Sequence, residues 1–577
     1  MFLIFDTETT GLPKDYNAPI SDSENWPRVV QIAWQLHDET GKLISAENHL
    51  VKPDGFTIPY NSVKIHGITT ERALEEGLPL VEVLEKFEDA RSKASYVAGH
   101  NIEFDVNVMG AEFFRMEMPH PVMEAVQLDT KDLSTEFCAI PGGKGGKFKW
   151  PTLTELHNKL FGVGFDDAHD AAYDVDATAK CFFALLQRHV FSVTEVTSPT
   201  EIVYEAPVLA EANFKKAPEM APEVATDLKK KSKVDISTMQ ELPFAHLHCH
   251  TQFSILQSTS TVGSLVAKAK EFGMQAVGMT DHGNMMAAFH FVREALANDV
   301  TPIVGCEFNL NADLRDKTKK DNGYQTVLFA KNKNGYHNLA KLSSISFTEG
   351  FYYVPRIDKN ALLEYKGDII ATTGGLWGEV PYLILNVGES QAEEAFVWWK
   401  EHFGEDFYIE LNRHGIAEED IVNETLIKFG EKYGVKAIAS NNTYYTEKTD
   451  EKTHDILLCV RDAENVSKPR KYIGKRGREY RFGFPEGNSE FYFKSPDEMK
   501  QLFADRPDAI KNLEELIGKF ERYKLESEVL LPKFDIPEEF QDSKDLEDGG
   551  KRGENAFLRH LTLEGAKKRY GEITPEI

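Results

Sequence analysis

Apolar and polar positions fall into a repeating order over the first 190 residues. Phe2 to Phe5 form an apolar run, and QIAWQLH (31–37) and YVAGHN (96–101) read as strands. TERALEEGLPLVEVLEKFEDARSKA (70–94) and DVDATAKCFFALLQRHV (174–190) carry apolar residues at helical spacing and read as helices. Alternating strands and helices predict an α/β domain over residues 1–190. From 191 to 243 the periodicity fails. That stretch is rich in Ala, Pro, Glu and Lys, contains the basic run KKKSK, and predicts an interdomain linker.

A second α/β region begins at FAHLHCHTQFS (244–254). Helix VGSLVAKAKEFG, strand AVGMTDH, helix MMAAFHFVREALAN and strand PIVGCEFNL follow, and similar units run through VKAIASNN. Polar residues at successive strand ends predict a barrel-like domain over 244–450, with its chemistry at that face. Residues 451–540 turn helical and charged, as a carboxy-terminal part and connection. Residues 541–577 read as the start of another region.

The chain has 577 residues and a net charge of −27. That charge argues against a non-specific nucleic-acid coat, because phosphate binding rests on Lys and Arg, but not against a nucleic-acid enzyme with local basic patches. Two local basic stretches stand out, GGKGGKFKW (142–150) and KPRKYIGKRGREYR (468–481). Each reads either as a solvated loop or as a nucleic-acid contact. The five cysteines are scattered and form no CxxC, as expected of reduced thiols in the cytoplasm. No signal peptide and no membrane-spanning run is read in the sequence, so no membrane partner is expected.

FLIFDTETTGL (2–12) poses a chemical question. In a strand, residues two apart share a face, so Asp6 and Glu8 converge. At about 4 Å their repulsion is roughly 4 kcal/mol at an effective dielectric of 20, which calls for a positive partner. GHNIEFDVNVM places Asp105 in a helix after a strand, and DDAHDAAYDVDA places His169 five residues before Asp174. Asp166, Asp167, Asp170 and Asp176 read as solvated acids near a helix start. Phosphodiester cleavage with two Mg²⁺ ions needs several hard oxygen ligands and a base for the attacking water. Asp6, Glu8, Asp105 and Asp174 supply the ligands, and His169 the base.

FDTETTG, HNIEFD and HDAAYD together resemble the three motifs of the DEDDh exonucleases, and most of all the epsilon-type proofreading subunits of bacterial replicative polymerases. The resemblance covers about residues 1–188. It implies an RNase H-like fold, a mixed sheet with flanking helices, and 3′→5′ hydrolysis of DNA ends with two Mg²⁺ or Mn²⁺. It also implies that IHGIT places His66 near the terminal nucleotide, with Asn61 standing where the family often has an acid.

HLHCHTQFS sets His248 and His250 on one face of a strand, TDHGN adds His282 and GCEF adds Glu307, a plausible metal cluster. From Phe244 onward the chain resembles the PHP domain of the alpha subunits of bacterial DNA polymerase III, a distorted α/β barrel. That family's site uses about nine ligands. Here Gln257, Gln325, Gly375, Asn442 and Tyr444 stand where ligands are usual. A degenerate, mainly structural domain is expected, able to hold one Zn²⁺. The combined resemblance implies the N-terminal part of an alpha subunit with a fused proofreader, a polymerase region starting at the end of this sequence, and the DNA primer end, the sliding clamp and other replisome subunits as partners. The alternatives are an RNA- or repair-type exonuclease with an attached phosphoesterase, or a non-catalytic scaffold.

Overall fold

The computed structural model describes residues 1–142, 147–164, 170–208, 239–473, 479–528 and 534–577. His169, Asp166 and Asp167 lie outside them. Two compact units are present, 1–523 and 524–577.

The first domain is built on β1 (Phe2–Thr9), β2 (Val29–His37), β3 (Leu43–Leu50), β4 (Tyr96–Gly99) and β5 (Val126–Asp129), in the order β3-β2-β1-β4-β5. β2 pairs antiparallel with β1 and β3, while β4 pairs parallel with β1 and β5, so the sheet is mixed. Alternation along β1 divides its side chains between two cores. Leu3 and Phe5 pack with Val83, Phe87, Val106 and Met109 on one side. Phe2 and Ile4 pack with Val175, Phe182 and Phe183 on the other.

Helices α1 (Tyr60–His66), α2 (Thr70–Glu76), α3 (Leu80–Ser92), α4 (Ile102–Arg115) and α5 (Ala171–Gln187) flank the sheet. The run expected to be helical from Thr70 is two helices. Leu78 between them exchanges backbone hydrogen bonds with Leu50 and Lys52, and Pro79 cannot donate to a continuing helix. Gly77 is required at this break: a Cβ there would stand 2.6 Å from the Lys52 nitrogen.

The first part of the linker expected from Phe191 belongs to the first domain. Phe191, Val193, Val196 and Tyr204 pack on the Phe2–Phe182 core, and Ile202 is buried in it. The Tyr204 hydroxyl donates to Asp176 Oδ1 at 2.6 Å, and the Val203 N–H donates to the Thr40 carbonyl. Spacings of two, three, six and two residues between these side chains sustain no single helix or strand period, which is why the pattern hides them.

The second domain contains β6 (Ala276–His282), β7 (Thr301–Asn311), β8 (Tyr324–Ala330), β9 (Arg356–Asp358), β10 (Ile369–Thr372), β11 (Phe407–Asn412) and β12 (Ala437–Ser440). Their order is β9-β7-β8-β10-β11-β12, with β6 paired to β7. An irregular segment, 246–250, closes the ring. Its carbonyls at His246 and Cys249 accept from Gly278 and Thr280 of β6, and on its other side His248 and His250 bond Thr443 just beyond β12. The segment was expected to be a strand, but only Cys249–Thr443 forms a bridge. Gly278 permits the approach, since a Cβ there would lie 2.1 Å from the Leu247 oxygen. Helix α6 (Glu379–Asn386) and helix α7 (Ala417–Tyr433) lie outside the barrel and face the first domain.

This unit runs on to Tyr523. Buried Ile510, Leu513 and Leu516 belong to a helix packed on β12, and Phe520 stacks edge-on against Phe329. The connection expected to run to 540 therefore divides at Tyr523. The second unit centres on helix α8 (Arg552–Tyr570), whose Phe557 packs with Phe534 and Phe540. No helix among the described residues is long and apolar enough to cross a membrane.

Candidate active sites

Asp6 and Glu8 continue the face of β1 that carries Phe2 and Ile4. Phe2 meets Phe182 and Phe183 near the end of α5, so the two acids meet its start, where Asp174 occupies the first turn. One carboxylate oxygen from each of Asp6, Glu8 and Asp174 lies within 4.8 Å of the others. Asp105, in the first turn of α4, is anchored to Thr7, the residue between the two acids of β1. Its Oδ1 accepts the Thr7 backbone N–H at 3.0 Å and the Thr7 hydroxyl at 2.6 Å.

Asp170 is the N-cap of α5, accepting from the Ala172 N–H at 3.0 Å and from Gln31 Nε2 at 3.2 Å. Gln31 is the cross-strand partner of Glu8. Asp170 is thus more than a solvated acid: it ties the start of α5 to the strand beside the cluster. Asp176 faces away from the cluster, toward Tyr204.

Burial and mutual repulsion govern the protonation of this group. Burial, then Asp105, Asp174, Glu8 and Asp170, push Asp6 well above the usual carboxylate range. Glu8 is pushed up to about 8 by burial and by Asp174 and Asp105. Asp105 rises to about 7 through burial, with the Thr7 hydrogen bonds pulling against it. Every charge named on Asp6 and Glu8 raises their affinity for protons, so the arrangement suits a divalent cation in place of protons. The donors are all hard oxygens, the set Mg²⁺ and Mn²⁺ prefer.

His66 is buried at the end of α1, and the Ile68 N–H donates to its Nδ1 at 3.1 Å, which leaves the proton of the neutral ring on Nε2. Asn61 Nδ2 donates to Asn386 Oδ1 of the second domain at 2.9 Å. Among the described residues of the two basic stretches, several cations are paired with acids. Arg481 is buried in a bidentate pair with Asp455, and Arg470 pairs with Glu451 and Asp455. Lys149 pairs with Glu155. Residues 143–146 and 474–478 lie outside the described residues.

The second cluster is buried inside the barrel. His248 Nε2 lies 3.0 Å from Glu307 Oε2 and its Nδ1 lies 3.0 Å from Glu410 Oε2. His282 Nδ1 is 2.6 Å from Glu307 Oε1, and His250 Nε2 is 3.8 Å from Glu307 Oε2. Burial alone would strip the proton from His248; Glu410 and Glu307 reverse this and hold it up to about 10. Burial lowers His250 to about 3, so its ring is neutral. Tyr444 stacks on His250 at 4.3 Å, and Asn442 lies beside both Tyr444 and Gly375. Glu410 was missed; its signal was an acid inside the apolar strand FYIELN. Asp281, accepting from Thr251 and Ser254, is a second such acid.

His248, His250 and Glu307 bring one donor each within 4.8 Å of one another. His250 Nε2 and Asn442 Oδ1 are buried without a hydrogen-bond partner, which fits a group held between them and Glu307.

Residues 3–182 match the exonuclease family and residues 246–414 match the PHP domain family. The mixed-sheet domain thus carries the exonuclease match and the barrel carries the PHP match. The chain's PHP-bearing region is homologous to DNA polymerase III subunit alpha. The protein of that name from Borreliella burgdorferi is 38% identical over 339 residues, 58% of this chain and 28% of that one. The one from Helicobacter pylori is 38% identical over 288 residues, 48% of this chain and 23% of that one. The chain therefore spans about a quarter of the length of these curated relatives. Among solved structures, E. coli exonuclease I in complex with a dT13 oligonucleotide is 24% identical, with a TM-score of 0.27, covering 32% of this chain and 40% of that one.

Proposed function

We propose that this chain is the N-terminal part of a replicative DNA polymerase alpha subunit with its own proofreader, and that the exonuclease domain removes nucleotides from the 3′ end of a DNA primer strand. The observation that carries this is the convergence of Asp6, Glu8 and Asp174 at the end of β1, with Asp105 clamped beside them. Asp6, Glu8, Asp105 and Asp174 would hold two Mg²⁺ or Mn²⁺ ions. Such ions supply charge neutralisation at the phosphate and a more acidic bound water. His169 takes a proton from the attacking water as its oxygen bonds to phosphorus and the bond to the upstream 3′ oxygen breaks. The products are a 5′-mononucleotide and a strand shortened by one. His66 and Asn61 flank the terminal nucleotide.

The PHP domain acts as a scaffold, with His248, His250 and Glu307 able to hold one Zn²⁺ and too few ligands for a multi-metal phosphoesterase. Glu410 on His248 Nδ1 is the carboxylate support a ligating histidine needs. The whole protein works in the cytoplasm with the sliding clamp and other replisome subunits.

The test uses a 5′-labelled single strand, with and without Mg²⁺ or Mn²⁺. Stepwise metal-dependent shortening is expected, and none from Asp6→Ala/Glu8→Ala. Wild-type rates from that double variant would refute the assignment. A strong preference for an RNA strand would favour RNA trimming instead.

A further inference from the structure

Asn386, at the end of α6, belongs to the PHP domain yet bonds one part of the exonuclease domain and lies close to another. Its Oδ1 accepts from Asn61 on α1. Its own Nδ2 donates to the Tyr382 carbonyl at 2.8 Å, which fixes the amide with its oxygen toward Asn61. Its backbone oxygen lies 3.7 Å from where a Cβ on Gly11 would stand. Gly11 is three residues past Glu8, so the Cα atoms of the two lie within about 11 Å of each other. Two more contacts hold the same helix and its approach. Lys64 Nζ bonds Glu418 Oε1 of α7 at 2.9 Å, and the Glu389 N–H donates to the Thr57 hydroxyl at 2.8 Å.

The contacts follow from the spacing of α1. Asn61 and Lys64, three apart, share one face and reach the PHP domain. Ser62 and His66 face the exonuclease interior and are buried. A helix of seven residues is marginal alone, so its position depends on what grips both faces.

We propose that the PHP domain completes the exonuclease site: Asn386 and Glu418 are positioning residues that set the α1 helix and the Gly11 turn at the separation the 3′-terminal nucleotide requires. This rests on the exonuclease reading above. The PHP domain then acts on proofreading by holding one wall of the nuclease, without any chemistry of its own.

The experiment uses the full chain and a 5′-fluorescent single-stranded oligonucleotide. Asn386→Ala, Asn61→Ala and Glu418→Gln should each raise KM by about twofold to tenfold, the range of one lost hydrogen bond, with kcat nearly unchanged. The Asn61→Ala/Asn386→Ala double variant should be no worse than the weaker of its two parents, because the pair is one interaction. Fluorescence anisotropy in chelator should show the same loss in affinity without any metal. Lys432→Ala, on the PHP surface away from α1, should match wild type. Unchanged KM and anisotropy in Asn386→Ala and Glu418→Gln, or a loss confined to kcat, or additive effects in the double variant, would overturn the proposal. If Asn386→Ala fails to fold, Glu418→Gln decides. If the wild-type chain binds but does not shorten the strand, the exonuclease reading fails while the anisotropy arm still judges this one.

Discussion

Thr7 gives both its backbone N–H and its hydroxyl to a single oxygen of Asp105, at 3.0 and 2.6 Å. The residue between the two acids of β1 thereby fixes a third acid on another element. Thr7→Val keeps the shape and the N–H but removes the hydroxyl. Burial holds Asp105 at about 7 with Thr7 opposing it, so losing that bond moves the carboxyl further up. The acid limb of the rate–pH profile should shift alkaline by about one to two pH units, from the worth of a hydrogen bond to a charged group. An unmoved limb would show that Thr7 does not tune the site.

Metal-free stability should fall as pH rises. Unfolded carboxylates lose their protons near pH 4, whereas Glu8 keeps its proton to about 8 and Asp105 to about 7 in the folded chain. Between those limits the folded state binds more protons, so the stability present below the unfolded pKa is lost through the folded pKa. Thermal unfolding in chelator should show a lower Tm at pH 8 than at pH 5. Mg²⁺ or Mn²⁺ should reverse the trend, and Asp6→Ala/Glu8→Ala should flatten it.

His169→Ala should slow hydrolysis by about 10²–10⁴-fold while leaving Mn²⁺ binding, followed by calorimetry, close to wild type. Asp174→Asn should weaken that binding. Asp176→Asn should leave both alone, because Asp176 serves Tyr204 at 2.6 Å on the far side of the helix. Tyr204→Phe should instead lower the unfolding midpoint with kcat intact.

In the barrel, His248→Ala should destabilise by about 3–5 kcal/mol, the cost of stranding buried charges, because Glu307 and Glu410 both lean on that ring. His250→Ala should cost less in urea titrations, since its Nε2 has no hydrogen-bond partner. The same variant should abolish retention of Zn²⁺, read by metal analysis of the purified chain. Two or more tightly held Zn²⁺ ions per chain that are lost together in His250→Ala would contradict the single-ion site.

The face of β1 was legible because strand alternation is local: Phe2, Ile4, Asp6 and Glu8 follow from the period alone. The cluster of His248, His250, His282 and Glu307 was legible because each stands in a short polar signature at a strand end. Glu410 was not, since one acid in an apolar strand carries no spacing and its reason lies across the barrel at His248. The clamp from Thr7 to Asp105 spans 98 residues and has no trace in either local pattern. The Phe191–Glu205 tail was hidden for a related cause: its anchors are single side chains reaching a core made elsewhere.

The contact between Asn61 and Asn386 also bears on why the two domains share a chain. A specific complex between free proteins buries about 1,200 Å² or more, and polar pairs at partly exposed positions add little affinity. On one chain the partners meet at an effective concentration of about millimolar, so a few weak bonds suffice. The fusion fixes a one-to-one ratio of exonuclease domain to PHP domain. It also lets the contact open and re-form many times without the nuclease being lost to dilution.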